Sequence, residues 1–386
     1  MGERIYLDNA STTFPKPPIV AKAVYSYMTE AGTNIGRGDY SSAYGVEDAV
    51  FETRELICRL MGGEDPAQVV FTRNVTESIN LLLKGFLEPG DHVVVTSMEH
   101  NAVMRPLTQL TAKGITFSRA ACSPQGDLDP SDIERLITPR TKLVLTTHAS
   151  NVCGTATPIH EIAKVCRAHG VRFAIDAAQS AGVLPIDARA WGIDAVCFTG
   201  HKGLLGPQGI GGIMFTGDFS KEVSTLVAGG TGSSSDLESM PSFMPDKLEA
   251  GTPNLPGIVG LGAGIEWINN NGIDAIREHE LALAGRLMEG MAPLEEAGLV
   301  RIVGKKGLTG RTGVVSIQTP RHELAQVAHA LDAEFGIQVR VGLHCAPSAH
   351  KTLGTFPTGT IRFSMGWSNT EIDIDSALFA LRHLLS

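Results

Sequence analysis

The chain has 386 residues, a formal net charge of −9 and 43% hydrophobic residues. That is ample for a large core, and it leaves no basic footprint for nucleic acid or an anionic membrane surface. Its six cysteines, at 58, 122, 153, 166, 197 and 345, form no CxxC pair, which argues against a zinc centre or a disulfide framework and fits a reducing cytoplasm. The N-terminal residues read straight into a strand with no apolar signal core, and no uninterrupted apolar run is long enough to span a bilayer. Residues 5–8 read as that strand, followed by a turn-rich stretch to 18, a helix over 19–30, a glycine-rich polar loop over 34–44 and an amphipathic helix over 46–62.

A rhythm then begins. Short β-branched runs at 69–72, 92–96, 115–118, 142–147, 171–175, 195–198 and 212–215 are interleaved with helical patterns at 76–86, 101–113 and 159–169. This predicts an α/β fold with a mostly parallel, seven-stranded-type sheet covered by helices. From 257 the texture changes to helices at 257–269, 273–294, 322–335 and 370–385, with short strands near 300–303, 312–318, 338–341 and 361–364. These predict a smaller α+β domain joined by the N-terminal strand. The expected division is a large domain over 16–256 and a small one made of 1–15 and 257–386.

Ligands of open α/β sheets bind at the carboxyl ends of strands, so the polar residues just past each strand are the candidates. They are Thr76, His100, Asn151, Asp176 and Lys202. Lys202 lies within Thr199-Gly-His-Lys-Gly-Leu-Leu-Gly-Pro-Gln-Gly-Ile-Gly-Gly. Glycines there allow close backbone approach, and a lysine so placed often forms a Schiff base with a carbonyl, of which pyridoxal phosphate (PLP) is the common cofactor example. A glycine-rich surface loop is the plainer alternative. Asp176 ends a buried strand and needs a charged partner, which a pyridinium nitrogen supplies; a helix cap is the alternative. Gln179 lies three residues on, within reach of a ring hydroxyl. Thr76 opens a helix, where free N–H groups favour an anion, although an ordinary N-cap is the commoner use. His100 could stack on a ring and handle protons, or be a loop histidine. Arg340 and Arg362 suit a bidentate clamp on a carboxylate, against the usual surface ion pair. Cys345, in Gly342-Leu-His-Cys-Ala-Pro, is either a nucleophile or a small buried hydrophobe. No metal site is expected, and no GxGxxG after a strand or GxxxxGK[ST] occurs.

Taken together, Tyr6-Leu-Asp-Asn-Ala-Ser-Thr-Thr, Thr76-Glu-Ser-Ile-Asn, Ser97-Met-Glu-His, Ser150-Asn-Val-Cys-Gly, Asp176-Ala-Ala-Gln, Gly200-His-Lys, Glu249-Ala-Gly-Thr-Pro-Asn, Val339-Arg-Val-Gly-Leu-His-Cys-Ala and Arg362-Phe-Ser resemble the class V, fold type I PLP enzymes. The likeness is to cysteine desulfurases of the SufS-like second group, and it runs nearly end to end. It implies that Lys202 is the Schiff-base lysine, that Asp176 and Gln179 meet the ring nitrogen and hydroxyl, and that His100 stacks on the ring. It further implies that Thr76, Thr199 and His201 hold the phosphate, with Thr252 reaching the phosphate of a neighbouring subunit in a homodimer with shared sites. Asn151 and Arg362 would hold the substrate carboxylate, with Ala10, Arg37 and Arg340 beside them.

Cys345 would take the sulfur of L-cysteine, or of L-selenocysteine its selenium, leaving alanine and passing sulfur to an acceptor protein, as in iron–sulfur cluster assembly. The alternatives are a selenocysteine lyase, or a class V aminotransferase or epimerase in which Cys345 is incidental. The chain departs from the family pattern at Gly36, Val75, Asn101 and Leu343.

Overall fold

A computed structural model describes residues 4–35 and 41–386. Its strands, in chain order, are β1 (Ile5–Tyr6), β2 (Val69–Thr72), β3 (His92–Thr96), β4 (Thr116–Ala120), β5 (Thr141–Thr147), β6 (Arg172–Asp176), β7 (Ala195–Thr199), β8 (Gly211–Phe215), β9 (Arg301–Val303), β10 (Val314–Gln318), β11 (Ile337–Gln338), β12 (Arg340–Gly342) and β13 (Thr360–Ser364). The large sheet has the order β2-β8-β7-β6-β5-β3-β4. All of its pairings are parallel except those of β8, which runs against β7 and β2. The expected α/β class and seven strands are both present.

The apolar runs of these strands are buried on both sides, and the period of two divides them between two cores. Phe173, Ile175, Val196 and Phe198 enter one core with Val94, Val144 and Met214. Ala174, Ala195 and Cys197 enter the other with Val93, Val95, Leu143, Leu145 and Ile213. Helices Val75–Phe86 and Asn101–Thr111 close the second face, and helices Ser41–Leu60, Ile159–His169 and Leu255–Asn271 close the first.

The second unit is an antiparallel sheet of order β12-β13-β10-β9. Helices Ile273–Glu296, Leu324–Phe335 and Glu371–Leu385 pack over it through Leu283, Leu287, Met291, Val327, Leu331, Ala377 and Leu381. The N-terminal β1 pairs parallel with β11. Helix Leu255–Asn271 sends Leu255, Ile258, Leu261, Ile265 and Ile268 into the core of the large sheet. We therefore propose that the division between the units falls at Gly272, at the end of that helix, rather than between 256 and 257.

Three local expectations change. The loop expected over 34–44 is helical from Ser41 onward. The helix expected to open at Thr76 starts at Val75, and Asn74, not Thr76, caps it: the Asn74 side chain accepts from the Glu77 N–H at 3.0 Å. Short helices Pro130–Leu136 and Pro347–Thr352 have no counterpart in the sequence reading, because each is too short for a periodic signal and is marked only by a proline in its first turn. Among the described residues, no helix is long and apolar enough to cross a membrane.

Candidate active site

β7 ends at Thr199 and the chain turns sharply through Gly200, His201, Lys202 and Gly203 before returning as β8. Two of these glycines are required by space. A Cβ on Gly200 would lie 2.8 Å from Ile210 Cγ2, and one on Gly203 would lie 2.6 Å from the Ala181 carbonyl oxygen. The turn is held by main-chain bonds from Leu205 N–H to Lys202 O at 2.9 Å and from Gly206 N–H to Gly200 O at 2.8 Å.

The N-terminal segment braces it from outside. Thr13 donates through Oγ1 to Lys202 O at 2.9 Å and through its N–H to His201 O at 3.0 Å, and Lys16 Nζ donates to His201 O at 2.6 Å. Lys202 itself is only partly exposed. Burial brings its amine down to about 8, with Asp176 opposing and Arg362 and Arg340 adding to the shift. An amine near neutrality can act both as nucleophile and as base.

Asp176, at the end of β6, is 3% exposed and accepts from Ala178 N–H at 2.9 Å. Burial raises its pKa, while that hydrogen bond and Lys202 pull it down. His100 caps helix Asn101–Thr111, its Nδ1 accepting from Ala102 N–H at 3.0 Å. The ring proton is therefore on Nε2 in the neutral form. Burial, with Lys202, Arg340, Arg105 and Arg362 in support, pushes this histidine down to about 4.

Beside it Glu99, fully buried, accepts from Thr96 Oγ1 at 2.6 Å and from Thr147 N–H at 3.0 Å, tying the end of β3 to the end of β5. Desolvation outweighs those bonds and lifts its carboxyl to about 8. Glu99 lay inside Ser97-Met-Glu-His, but nothing in that string separates a buried brace from a surface acid.

The predicted substrate-side residues converge on one another. Arg340 and Arg362 face each other across the β12–β13 pairing. Arg362, 2% exposed, donates to Asp8 Oδ1 and to Ser11 Oγ, both at 2.7 Å, and to the Asn151 main-chain carbonyl at 3.0 Å. The second arginine reaches the same hydroxyl, Arg340 Nη1 to Ser11 Oγ at 2.7 Å. Asn151 turns its amide to the loop after β12, Nδ2 donating to His344 O at 2.7 Å. Asn101 N–H donates to Cys345 O at 2.9 Å. His344 and Cys345 both have left-handed backbones, φ 47° and 58°, a conformation a side chain rarely adopts, and Cys345 is exposed. Cys58, Cys153, Cys166 and Cys197 are buried, and Cys122 is half-buried.

The remaining expected residues have these positions and contacts. Gln179 donates its amide to Ala10 O at 2.9 Å, so the two are joined to each other. Thr76 is exposed at the first turn of its helix. Thr252 lies apart from Lys202, in a groove of about 600 Å³ also lined by Thr72, Glu77, Val227 and Gly251. The stretch that carries it is anchored by Glu249, which accepts from Phe71 N–H at 2.6 Å and pairs with Arg54 at 2.8 Å. Arg37 lies outside the described residues. Glu280, which the sequence did not single out, is 8% exposed and lines a cavity of about 30 Å³ together with Lys202, Gln179 and Ala10. Among the described residues no cluster of side chains could hold a metal ion.

The sequence model for Aminotransferase class-V matches residues 5–377. The chain belongs to the class-V aminotransferase family. It is 35% identical over 379 residues to a probable cysteine desulfurase of Methanothermobacter thermautotrophicus, covering 97% of this chain and 93% of that one. It is also 35% identical to a probable cysteine desulfurase of Mycolicibacterium paratuberculosis, covering 98% of this chain and 55% of the longer relative. The apo structure of the cysteine desulfurase from Thermococcus onnurineus NA1 superposes with a TM-score of 0.92 at 32% identity, covering 99% of this chain and 94% of that one.

Class-V enzymes are PLP-dependent, and PLP is the cofactor of this one. Its residues fit that group. Among the described residues, Thr199 Oγ1 at the end of β7 and His201 Nδ1 in the turn beside Lys202 are buried without a hydrogen-bond partner, as groups that hold a phosphate would be. Asp176 offers a buried carboxyl with a single hydrogen bond, suited to a pyridinium.

Proposed function

We infer that this chain is a PLP-dependent cysteine desulfurase, taking L-cysteine to alanine with its sulfur carried on Cys345. The observation that carries the reading is the placement of Cys345. It is an exposed thiol on a strained loop, fastened by Asn151 to the segment after β5 and by Asn101 to the segment after β3, which bears His100.

We assign the roles as follows. PLP, when bound, supplies an electron sink for the pair left at the substrate α-carbon. Thr199, His201 and the first turn of helix Val75–Phe86 hold its phosphate, Asp176 its ring nitrogen and Lys202 its carbonyl carbon, with His100 against the ring. Arg362, with Asn151 and Arg340, orients the substrate carboxylate. Lys202, whose amine sits near 8, takes the α-proton. Cys345 attacks the substrate sulfur as a thiolate: an S–S bond forms as the C–S bond breaks. The electron pair of the broken bond stays with the three-carbon unit, which takes back the α-proton from Lys202, takes up a second proton at the β-carbon and leaves as alanine. His100, neutral to about pH 4, is placed to pass that proton.

Thr252 serves the site of a second copy. The groove it lines beside Glu77, and the exposed apolar side chains of Tyr25, Phe51, Val227 and Leu237, support a homodimer. Free cysteines throughout support a reducing, cytoplasmic setting and a protein acceptor for the Cys345 persulfide.

The test is alanine and sulfide production from L-cysteine by the wild type and by Cys345→Ala, with and without a reductant. The wild type should form alanine, and the variant should release almost no sulfur. Undiminished sulfur release from the variant would remove Cys345 from the mechanism.

A further inference from the structure

Ser11 stands at the crossing of the carboxylate clamp. Its hydroxyl accepts from Arg340 Nη1 and from Arg362 Nη2, each at 2.7 Å, and donates to Asp8 Oδ1 at 2.8 Å. A serine oxygen has two acceptor positions and one donor, so this one is saturated. The two guanidiniums face each other across β12 and β13 and repel, yet both are drawn to one neutral oxygen. Asp8 supplies one negative charge, through Arg362 at 2.7 Å. Among the described residues Arg340 has no carboxylate partner, and Ser11 Oγ is its one hydrogen-bond acceptor.

The cluster of Asp8, Arg340 and Arg362 therefore carries one net positive charge, the complement of one carboxylate. Among the described residues Arg362 Nε is buried without a hydrogen-bond partner, which leaves a donor on the same side chain for an oxygen.

We propose that Ser11 is a positioning residue that sets substrate specificity: its hydroxyl holds Arg340 beside Arg362, so that both guanidiniums serve one α-carboxylate. This rests on the reading of the site as one for an α-amino acid. Without the hydroxyl, Arg340 loses its tether and swings away from Arg362. Arg362 stays fixed by Asp8 and the Asn151 carbonyl. The site then keeps its amine chemistry and loses part of its preference for a carboxylate.

The experiment compares two small amines that carry no sulfur. The PLP-loaded protein is titrated with L-alanine and with ethylamine, and the absorbance of the bound cofactor reports binding. The wild type should prefer L-alanine. In Ser11→Ala the ratio of the two affinities should fall about tenfold, the worth of one charge-assisted hydrogen bond, with ethylamine binding unchanged. Ser11→Cys fills the same space with a weak acceptor and should shift the ratio the same way, so a poorly folding alanine variant does not end the test. Added to Arg340→Lys, the Ser11→Ala change should have little further effect, since both remove the same contact.

An unchanged ratio, an equal loss for both amines or full additivity with Arg340→Lys would overturn the proposal. No turnover is needed, so failure to form alanine from L-cysteine, which refutes the desulfurase reading, is told apart from a ratio that does not move.

Discussion

Glu280 offers the sharpest quantitative test of the packing around Lys202. It is 8% exposed, no hydrogen bond reaches its carboxyl among the described residues, and burial pushes its pKa from 4.5 up to about 8. In the unfolded chain this group ionises near 4.5; in the folded chain it keeps its proton to about pH 8. The folded state therefore binds more protons between those values, and stability falls as pH rises through the interval. The slope is about 1.36 kcal/mol per pH unit, so the wild type should lose about 4 kcal/mol from this group between pH 5 and pH 8.

Glu280→Gln keeps the shape of the protonated acid and has no charge to gain. Urea unfolding followed by tryptophan fluorescence at pH 5, 6, 7 and 8 gives the comparison. The two proteins should have similar midpoints at pH 5 and diverge steadily, the variant being the more stable at pH 8. Glu99, lifted to a similar value, is present in both and cancels in the difference. Curves that stay parallel within about 1 kcal/mol would refute the reasoning, because Glu280 would then ionise in the fold without penalty.

Three further outcomes follow from the geometry. Asp8→Asn leaves the buried Arg362 guanidinium without a carboxylate; with Asp8 partly exposed, the loss should be about 2 kcal/mol by chemical denaturation, together with a raised KM for L-cysteine. Gly182 has φ +81°, and a Cβ there would lie 2.3 Å from Gly203 O, next to Lys202. Gly182→Ala should therefore displace the lysine turn and lower PLP retention on gel filtration, and a variant that holds PLP as tightly as the wild type would contradict this. His100 is held neutral to about pH 4 by burial among cations, so the rate profile between pH 5 and 8 should contain no limb near 6.5 that disappears in His100→Gln.

Much of the fold was legible because its signals are local. The strands of the large sheet are short runs buried on both faces, and helices with a polar side fall between them. The polar residues past those strands could be read as candidates because open sheets place ligands there. What escaped has no local signature. Ser11 and Asp8 matter through bonds to arginines more than 300 positions away. Glu249 works as an anchor only because Arg54 and Phe71 arrive from a distant segment. Asn151 and Gln179 each donate an amide hydrogen to a distant main-chain carbonyl, His344 O and Ala10 O, bonds that no local pattern announces. Arginine and asparagine side chains look the same in a sequence whether they face a ligand or a neighbouring loop.

The N-terminal segment has a consequence for how the enzyme comes into being. Residues 5–16 pair with β11, accept the guanidinium of Arg362 and grip the turn of Lys202. Residues 5–11 thus meet their strand partner and their arginines only once residues 337–362, more than 300 positions later, have been made. The large sheet and the brace of Thr13 and Lys16 on its lysine turn can form early, but Asp8 and Ser11 wait for their arginines. The arginine cluster should therefore be assembled after the lysine turn. Chains that stop short of residue 340 would carry a braced lysine turn and neither arginine.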